Sequence, residues 1–135
     1  MRRWETAAFY RHYLATVNAH AFDRLAPFVA GDVRVNDELR GLTGYAEGLR
    51  SVVRVFPDHH WELRSLVIDG DSIASHITGT GTHQGEFLGV APTGRRVTIP
   101  EFAIYHLEDD RIARVWGTVD HAAVLAQLSV TGESP

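Results

Sequence analysis

The chain contains no cysteine and no lysine, so that all 13 of its basic residues are arginine. Without a thiol there is no thiolate nucleophile, no disulfide and no thiolate metal site, and without lysine there is no Schiff base. Long apolar runs are missing as well, since no segment approaches the roughly 18 residues that a membrane span requires. These absences exclude several catalytic mechanisms, and we expect no membrane partner.

An excess of positive charge is also missing. The formal net charge is -4 and the arginines are scattered along the chain, so we expect no nucleic-acid partner. The 135 residues, 44% of them hydrophobic, predict a single domain over residues 1–135 with a polar tail from about 129. The N-terminal segment has no uninterrupted apolar stretch, which predicts no signal peptide and a cytoplasmic protein.

The first half of the chain shows helical periodicity. Apolar residues from Ala7 to Val17 recur at helical spacing, and a third helix is predicted from Thr43 to a stop at Pro57. Between them, "FDRLAPFVAGD" predicts a short second helix that Asp23 opens and Gly31 closes, and "DVRVND" predicts a short strand.

The second half shows the alternation of long strands. Two hairpins are predicted, the first from residues 60–69 and 72–82 and the second from 95–107 and 112–121, before the final helix "HAAVLAQL". The order predicts an α+β fold, in which a curved antiparallel or mixed sheet packs on three N-terminal helices. Such a sheet forms a cone whose open end suits a small ligand.

The stretch "GTHQGEFLGVAPTGRRV" at 81–97 is rich in glycine. A phosphate-binding loop lies between a strand and a helix, whereas strands are predicted on both sides here, so a nucleotide site is disfavoured. We interpret the stretch as a long connection that turns at Pro92-Thr93-Gly94 and folds Phe87 and Leu88 over the cone as an apolar lip.

This stretch, together with "FPD" at 56–58, "EDDRIARVW" at 108–116 and Asp120 followed by "LAQL", resembles the SnoaL-like polyketide cyclases. That family, also called ester cyclases, belongs to the superfamily of nuclear-transport-factor-like and ketosteroid-isomerase-like folds. The resemblance implies a cone with a deep pocket, a homodimer, no cofactor and a small polycyclic substrate.

Four residues are candidates for catalysis. Glu101 shares one face of its strand with Ala103 and Tyr105, and a carboxylate in this apolar strand is suited to proton transfer, unless it faces outward and pairs with an arginine. Asp120 is either a pocket carboxylate or a helix cap. His83 would shuttle protons at the rim or bond the loop, and Asn36 would orient a carbonyl or turn the chain.

Aromatic residues are the candidates for substrate binding, with core packing as the alternative. The predicted set is Trp61, Trp116, Tyr13, Phe87 and Tyr105. No metal site is predicted, because the histidines lack ligand spacing and the adjacent His59 and His60 would point to opposite sides of a strand.

The resemblance leaves the reaction open. Where the aldol cyclases of the family have an acid–base aspartate and a pocket histidine, this chain has Gly117 and Ala103. The leading hypothesis is cyclisation or isomerisation through an enolate in secondary metabolism, with Asp120 or Glu101 as the base and Asn36 or His83 stabilising the oxyanion. The alternatives are a cofactor-independent hydroxylase, a binding domain without activity and, as a minor option, epoxide hydrolysis.

Overall fold

The computed structural model describes residues 1–129, so the predicted polar tail lies almost entirely outside the described residues. The α-helices are α1 (Arg3–Asn18), α2 (Gly41–Val55) and α3 (His121–Ser129). No helix in this part of the chain is long and apolar enough to cross a membrane.

The prediction of a short second helix between α1 and α2 is wrong. Only Phe22–Arg24 form a single 3₁₀ turn, and the chain then enters strand β1 (Val29–Val35). Phe22, Leu25, Phe28 and Val29 are all buried, but they reach the core from a turn and the start of a strand.

Six strands form one mixed sheet. The others are β2 (Glu38–Leu39), β3 (His60–Asp69), β4 (Ser72–Thr82), β5 (Arg96–Glu108) and β6 (Arg111–Val119), and the order across the sheet is β2-β1-β6-β5-β4-β3. Only β1 and β6 pair in parallel; every other pair is antiparallel. The sheet is open, with β2 and β3 at its edges, and the predicted fold class is confirmed.

The two faces of the sheet differ in their cover. On β5 the inner face carries Ile99, Glu101, Ala103 and Tyr105, which are buried or half-buried against the helices. The outer face carries no helix among the described elements, and Val67, Phe102 and Ile104 there are 51–63% exposed. The predicted alternation along β5 is therefore confirmed.

Helix α3 closes one end of the inner face. Its Val124 and Leu128 pack in a cluster with Phe56, Val97 and Ile99. The side chain of Gln127 accepts from the N–H of Thr98 at 2.8 Å and donates to its carbonyl at 2.9 Å. These two bonds fix the helix against β5 beyond the end of β6.

Candidate active site

The helices and the inner face of the sheet enclose two adjoining chambers. The inner chamber, of about 140 Å³, is walled by Tyr10, Tyr13, Tyr45, Trp61 and Tyr105, among others. The outer chamber, of about 270 Å³, is walled by residues that include Phe56, His59, Phe87 and His121. Glu101 and Val119 line both chambers, so Glu101 stands where the two meet.

A larger depression of about 540 Å³ lies on the outer face of the sheet, beside Phe102, Ile104 and Trp116. Its walls include His76 but no carboxylate. We place the candidate site in the two inner chambers, because there, unlike in the outer depression, a carboxylate and a histidine meet in a largely apolar enclosure.

Glu101 and His59 form the titratable pair of this site. Oε2 of Glu101 lies 3.8 Å from Nε2 of His59, and their side chains are 20% and 2% exposed, respectively. That oxygen and both ring nitrogens of His59 have no hydrogen-bond partner within residues 1–129. Buried polar atoms are almost always bonded in folded proteins, so unbonded ones on a cavity wall indicate a place for a polar ligand.

Two glycines of β4 make room for this pair. A side chain at Gly79 would collide with the Glu101 carboxylate and lie 3.1 Å from the His59 ring. At Gly81, a Cβ would lie 2.7 Å from the Cβ of Phe56 and 3.2 Å from Nδ1 of His59. The glycines thus let groups from both flanking segments approach one another across β4.

The segment that carries His59 is held at both sides. The carboxylate of Asp58 accepts from the N–H of Thr82 at 2.6 Å and from its hydroxyl at 2.7 Å. These bonds, the backbone one first, lower the pKa of Asp58, so this carboxylate is charged at neutral pH. The His20 ring bonds the His59 carbonyl at 2.8 Å, which leaves the His59 ring turned to the chamber.

All four tyrosines of the chain line the inner chamber. The hydroxyl of Tyr10 bonds Ser75 at 2.9 Å and Tyr105 at 3.4 Å, and the hydroxyls of Tyr13 and Tyr45 bond each other. Burial is the largest cause that raises the pKa of each phenol, to about 12 for Tyr45. The four phenols are therefore protonated at neutral pH.

Two predicted catalytic residues lie outside the chambers. Asp120 is exposed and caps α3, where its Oδ1 accepts from the N–H of Ala123 at 2.9 Å. His83 is fully buried, and its Nδ1 lies 2.9 Å from the Thr93 hydroxyl and accepts from the Thr93 N–H at 3.1 Å. In the structure, Asp120 therefore acts as a helix cap and His83 bonds the loop, which are the alternatives to a catalytic role.

Asn36 and Trp116 belong to the outer face. The side-chain oxygen of Asn36 accepts from the N–H of Gly117 at 3.1 Å, and Nε1 of Trp116 donates to Asp37 at 3.0 Å. Both residues line the outer depression rather than the two chambers. The expectation that they contact a substrate inside the cone therefore needs correction.

The remaining predicted residues lie where a substrate could touch them. Tyr13, Trp61 and Tyr105 wall the inner chamber, and Phe87 walls the outer one. Sequence reasoning missed His59, Tyr10 and Tyr45. A signal for His59 existed, because it lies two residues before Trp61, and alternation places residues two apart on the same side.

Within the described residues, no group of three histidines or carboxylates is placed to hold a metal ion. The fold and the site define a small α+β protein with a largely apolar cavity that a glutamate and a histidine line. The sequence profile of the SnoaL-like polyketide cyclases matches residues 7–128. The chain belongs to the SnoaL-like polyketide cyclase family, which confirms the resemblance seen in the sequence.

Solved structures agree with this assignment. A SnoaL-like polyketide cyclase from Agrobacterium tumefaciens is 33% identical, with 92% of this chain and 98% of that chain covered at a TM-score of 0.83. IdmH from Streptomyces antibioticus, described as a candidate polyketide cyclase, is 25% identical, with 93% and 99% covered and a TM-score of 0.83. AclR from Streptomyces galilaeus, described as a candidate hydroxylase, is 26% identical, with 97% and 85% covered and a TM-score of 0.82. Comparison with curated proteins gives no match.

Proposed function

We propose that the chain is a cofactor-free enzyme that moves a proton on a carbon next to a carbonyl group of an aromatic polyketide or similar polycycle. The outcome would be cyclisation or isomerisation through an enolate. The observation that carries the proposal is the Glu101–His59 pair, which is unbonded and stands on the wall of the two chambers.

In this mechanism the Glu101 carboxylate accepts the proton from carbon, and the electron pair of the C–H bond moves onto the carbonyl oxygen. In cyclisation the enolate carbon then attacks a second carbonyl, whose oxygen takes up a proton; in isomerisation the proton returns to a different carbon of the conjugated enolate. His59, whose Nε2 lies 3.8 Å from Oε2 of Glu101, would relay the proton from the carboxylate to the product. Neighbouring carbonyls in a polyketide acidify the carbon, so no metal is required for this step.

The substrate class rests on family membership and on the chamber walls. Phe56, Phe87 and Trp61 give broad apolar surfaces on both sides of Glu101, which suits a flat polycycle. Two of the similar structures are described as polyketide cyclases, which supports the same class for this chain.

The test is incubation of the purified protein with a panel of anthraquinone-type polyketide intermediates, with product mass and oxygen consumption read together. We expect an isomeric or dehydrated product without oxygen uptake. Glu101→Gln should lower kcat by about 10²- to 10⁴-fold, the range for loss of a general base. Asp120→Asn, outside the chambers, is the matched control and should retain turnover. Full activity of Glu101→Gln would refute the mechanism.

A second candidate is a cofactor-independent hydroxylase, favoured by the similarity to AclR and by Gly117 and Ala103 at the positions of the cyclase acid–base residues. The substrate carbanion would then react with molecular oxygen to form a hydroperoxide, which loses water and leaves a carbonyl group, so the substrate itself supplies the electrons that reduce the second oxygen atom. A product that has gained one oxygen atom and lost two hydrogen atoms, with oxygen uptake that depends on substrate, would move the assignment to this reaction. Binding of panel members without conversion would support a receptor instead.

A further inference from the structure

We infer that the inner chamber receives a carbonyl or enolate oxygen of the substrate, through hydroxyl protons that the tyrosines do not use among themselves. The inference rests on the proposed function, because it orients the substrate of that same site. It assigns Tyr13 and Tyr45 as one donor unit and the group of Tyr10, Ser75 and Tyr105 as another.

The first unit holds one proton in excess. Each hydroxyl carries one proton and two acceptor lone pairs, and the Tyr13 and Tyr45 hydroxyls share a single hydrogen bond. Whichever residue donates, the proton of the other remains, and no further partner for it exists within residues 1–129. Both side chains wall the inner chamber, so an acceptor placed there completes the pattern.

The second unit repeats the situation with other residues. Tyr10 bonds Ser75 and Tyr105, so these three hydroxyls share two hydrogen bonds and leave one proton over, which lies on Tyr10, Tyr105 or Ser75 according to the direction of the bonds. Tyr10 and Tyr105 wall the inner chamber together with the first unit. When that proton lies on Tyr10 or Tyr105, the inner chamber has a second donor beside that of Tyr13 and Tyr45, as in sites that stabilise negative charge on an oxygen.

The phenols act as hydrogen-bond donors, so the ligand group that they bind must be a hydrogen-bond acceptor. Because burial raises their pKa, they keep their protons through the neutral range and none of them acts as a base there. The one carboxylate that lines the inner chamber, Glu101, stands at its boundary with the outer chamber. A polycyclic ketone that enters carbonyl first thus brings its adjacent carbon near Glu101.

The count of protons gives an unusual prediction for variants. Tyr13→Phe or Tyr45→Phe alone removes one proton and one hydrogen bond together, so each single variant keeps the spare donor. Tyr13→Phe/Tyr45→Phe removes two protons and one bond, so the unit loses it. Simple loss of packing would instead accumulate from the singles to the double.

The experiment uses 1-tetralone, labelled with carbon-13 at the carbonyl, and tetralin as the matched hydrocarbon, without any need for turnover. We expect the wild-type protein to bind tetralone about 5- to 10-fold more tightly than tetralin, the value of about one hydrogen bond. The bound carbonyl signal should lie downfield of its position in hydrocarbon solvent. Both single variants should keep the preference and the shift, and the double variant should lose at least half of each.

Equal affinity of the wild-type protein for the two probes, or no binding of either, would overturn the inference. This measurement suffices by itself, even if the double variant fails to fold. Single variants that lose as much as a folded double variant would overturn it as well. The proposed function is tested separately by turnover of Glu101→Gln, so a tetralone preference without any turnover supports the donor chamber and contradicts only the reaction.

Discussion

At the scale of single residues, the approach of Glu101 and His59 depends on a residue without a side chain. Gly79 lies on β4, between Trp61 of the edge strand β3 and Ile99 of β5. Glu101 and His59 come from the two flanking segments and meet over its Cα atom. The glycine is therefore part of the site, although it offers no functional group.

We predict that Gly79→Ala moves the Glu101 carboxylate away from His59. The added methyl group collides with the carboxylate, and overpacking of this kind costs about 1–3 kcal/mol in the free energy of unfolding. Turnover should fall with it, because the base is displaced. Thermal unfolding and steady-state kinetics with a polyketide intermediate measure both effects.

The control for this prediction is Gly48→Ala. Gly48 lies inside α2, and a Cβ there meets nothing within 4 Å. Alanine should stabilise the helix by about 0.5–1 kcal/mol and leave turnover unchanged. A Gly79→Ala protein as stable and active as Gly48→Ala would show that the carboxylate does not depend on this space.

The sequence could predict which way Glu101 points, but not which way Trp116 points. Strict alternation along β5 is visible in the sequence and places Glu101, Ala103 and Tyr105 together. The face to which the Trp116 side chain points depends on the pairing of Trp116 with Ile104, and this register cannot be predicted from the sequence of either strand alone. For Asn36, the turn with positive φ at Asn36 and Asp37 directs the side chain to Gly117.

At the scale of elements, Asp120 at the start of α3 allows its role as a helix cap to be measured separately from a role in catalysis. Asp120→Ala should destabilise the protein by about 1 kcal/mol, because the N–H of Ala123 loses its cap. Asp120→Asn should restore stability, since asparagine caps as well as aspartate, and should leave kcat unchanged. The free energy of unfolding from urea titration and turnover measure the two effects. A stable Asp120→Asn protein with a large loss of kcat would show that Asp120 takes part in catalysis.

Elements also differ in how far the sequence determined them. The four long strands were predicted almost to the residue, because alternation and turn residues act locally. The second helix was wrong because Phe22, Leu25 and Phe28 follow helical spacing, while β1 is decided by its pairing with Ile112 to Val115 of β6. The helical preference of these 11 residues is weaker than the strand pairing with β6, which lies about 80 residues further along the chain.

At the scale of the whole molecule, the outer face of the sheet is an apolar surface that no described element covers. Val67, Phe102 and Ile104 are more than half exposed there, beside the depression of about 540 Å³, and His76 stacks on Phe102. The Glu62–Arg64 ion pair adds charges of both signs at the rim. We propose that a second copy covers this face, because a two-fold contact would match the patch with itself.

Light scattering at micromolar concentration should therefore give twice the 15.0 kDa mass of the chain. Ile104→Arg should yield the monomer, because it places a charge in the middle of the patch. Leu88→Arg is the control, since Leu88 is 63% exposed but lies in the glycine-rich connection. A monomeric wild-type protein at all concentrations would contradict the proposal.

The parallel pair of β1 and β6 has a consequence for how the chain folds. Two-residue turns join β3 to β4 and β5 to β6, and the glycine-rich connection joins β4 to β5, so these four strands can pair in sequence order. The segment with α1, β1 and α2 has its only ladder to this meander at β6, at the end of the synthesis of the sheet. On the ribosome, the first third of the chain must therefore wait for the last strand before its sheet is complete, and closing so long a loop is the slow, entropically costly step.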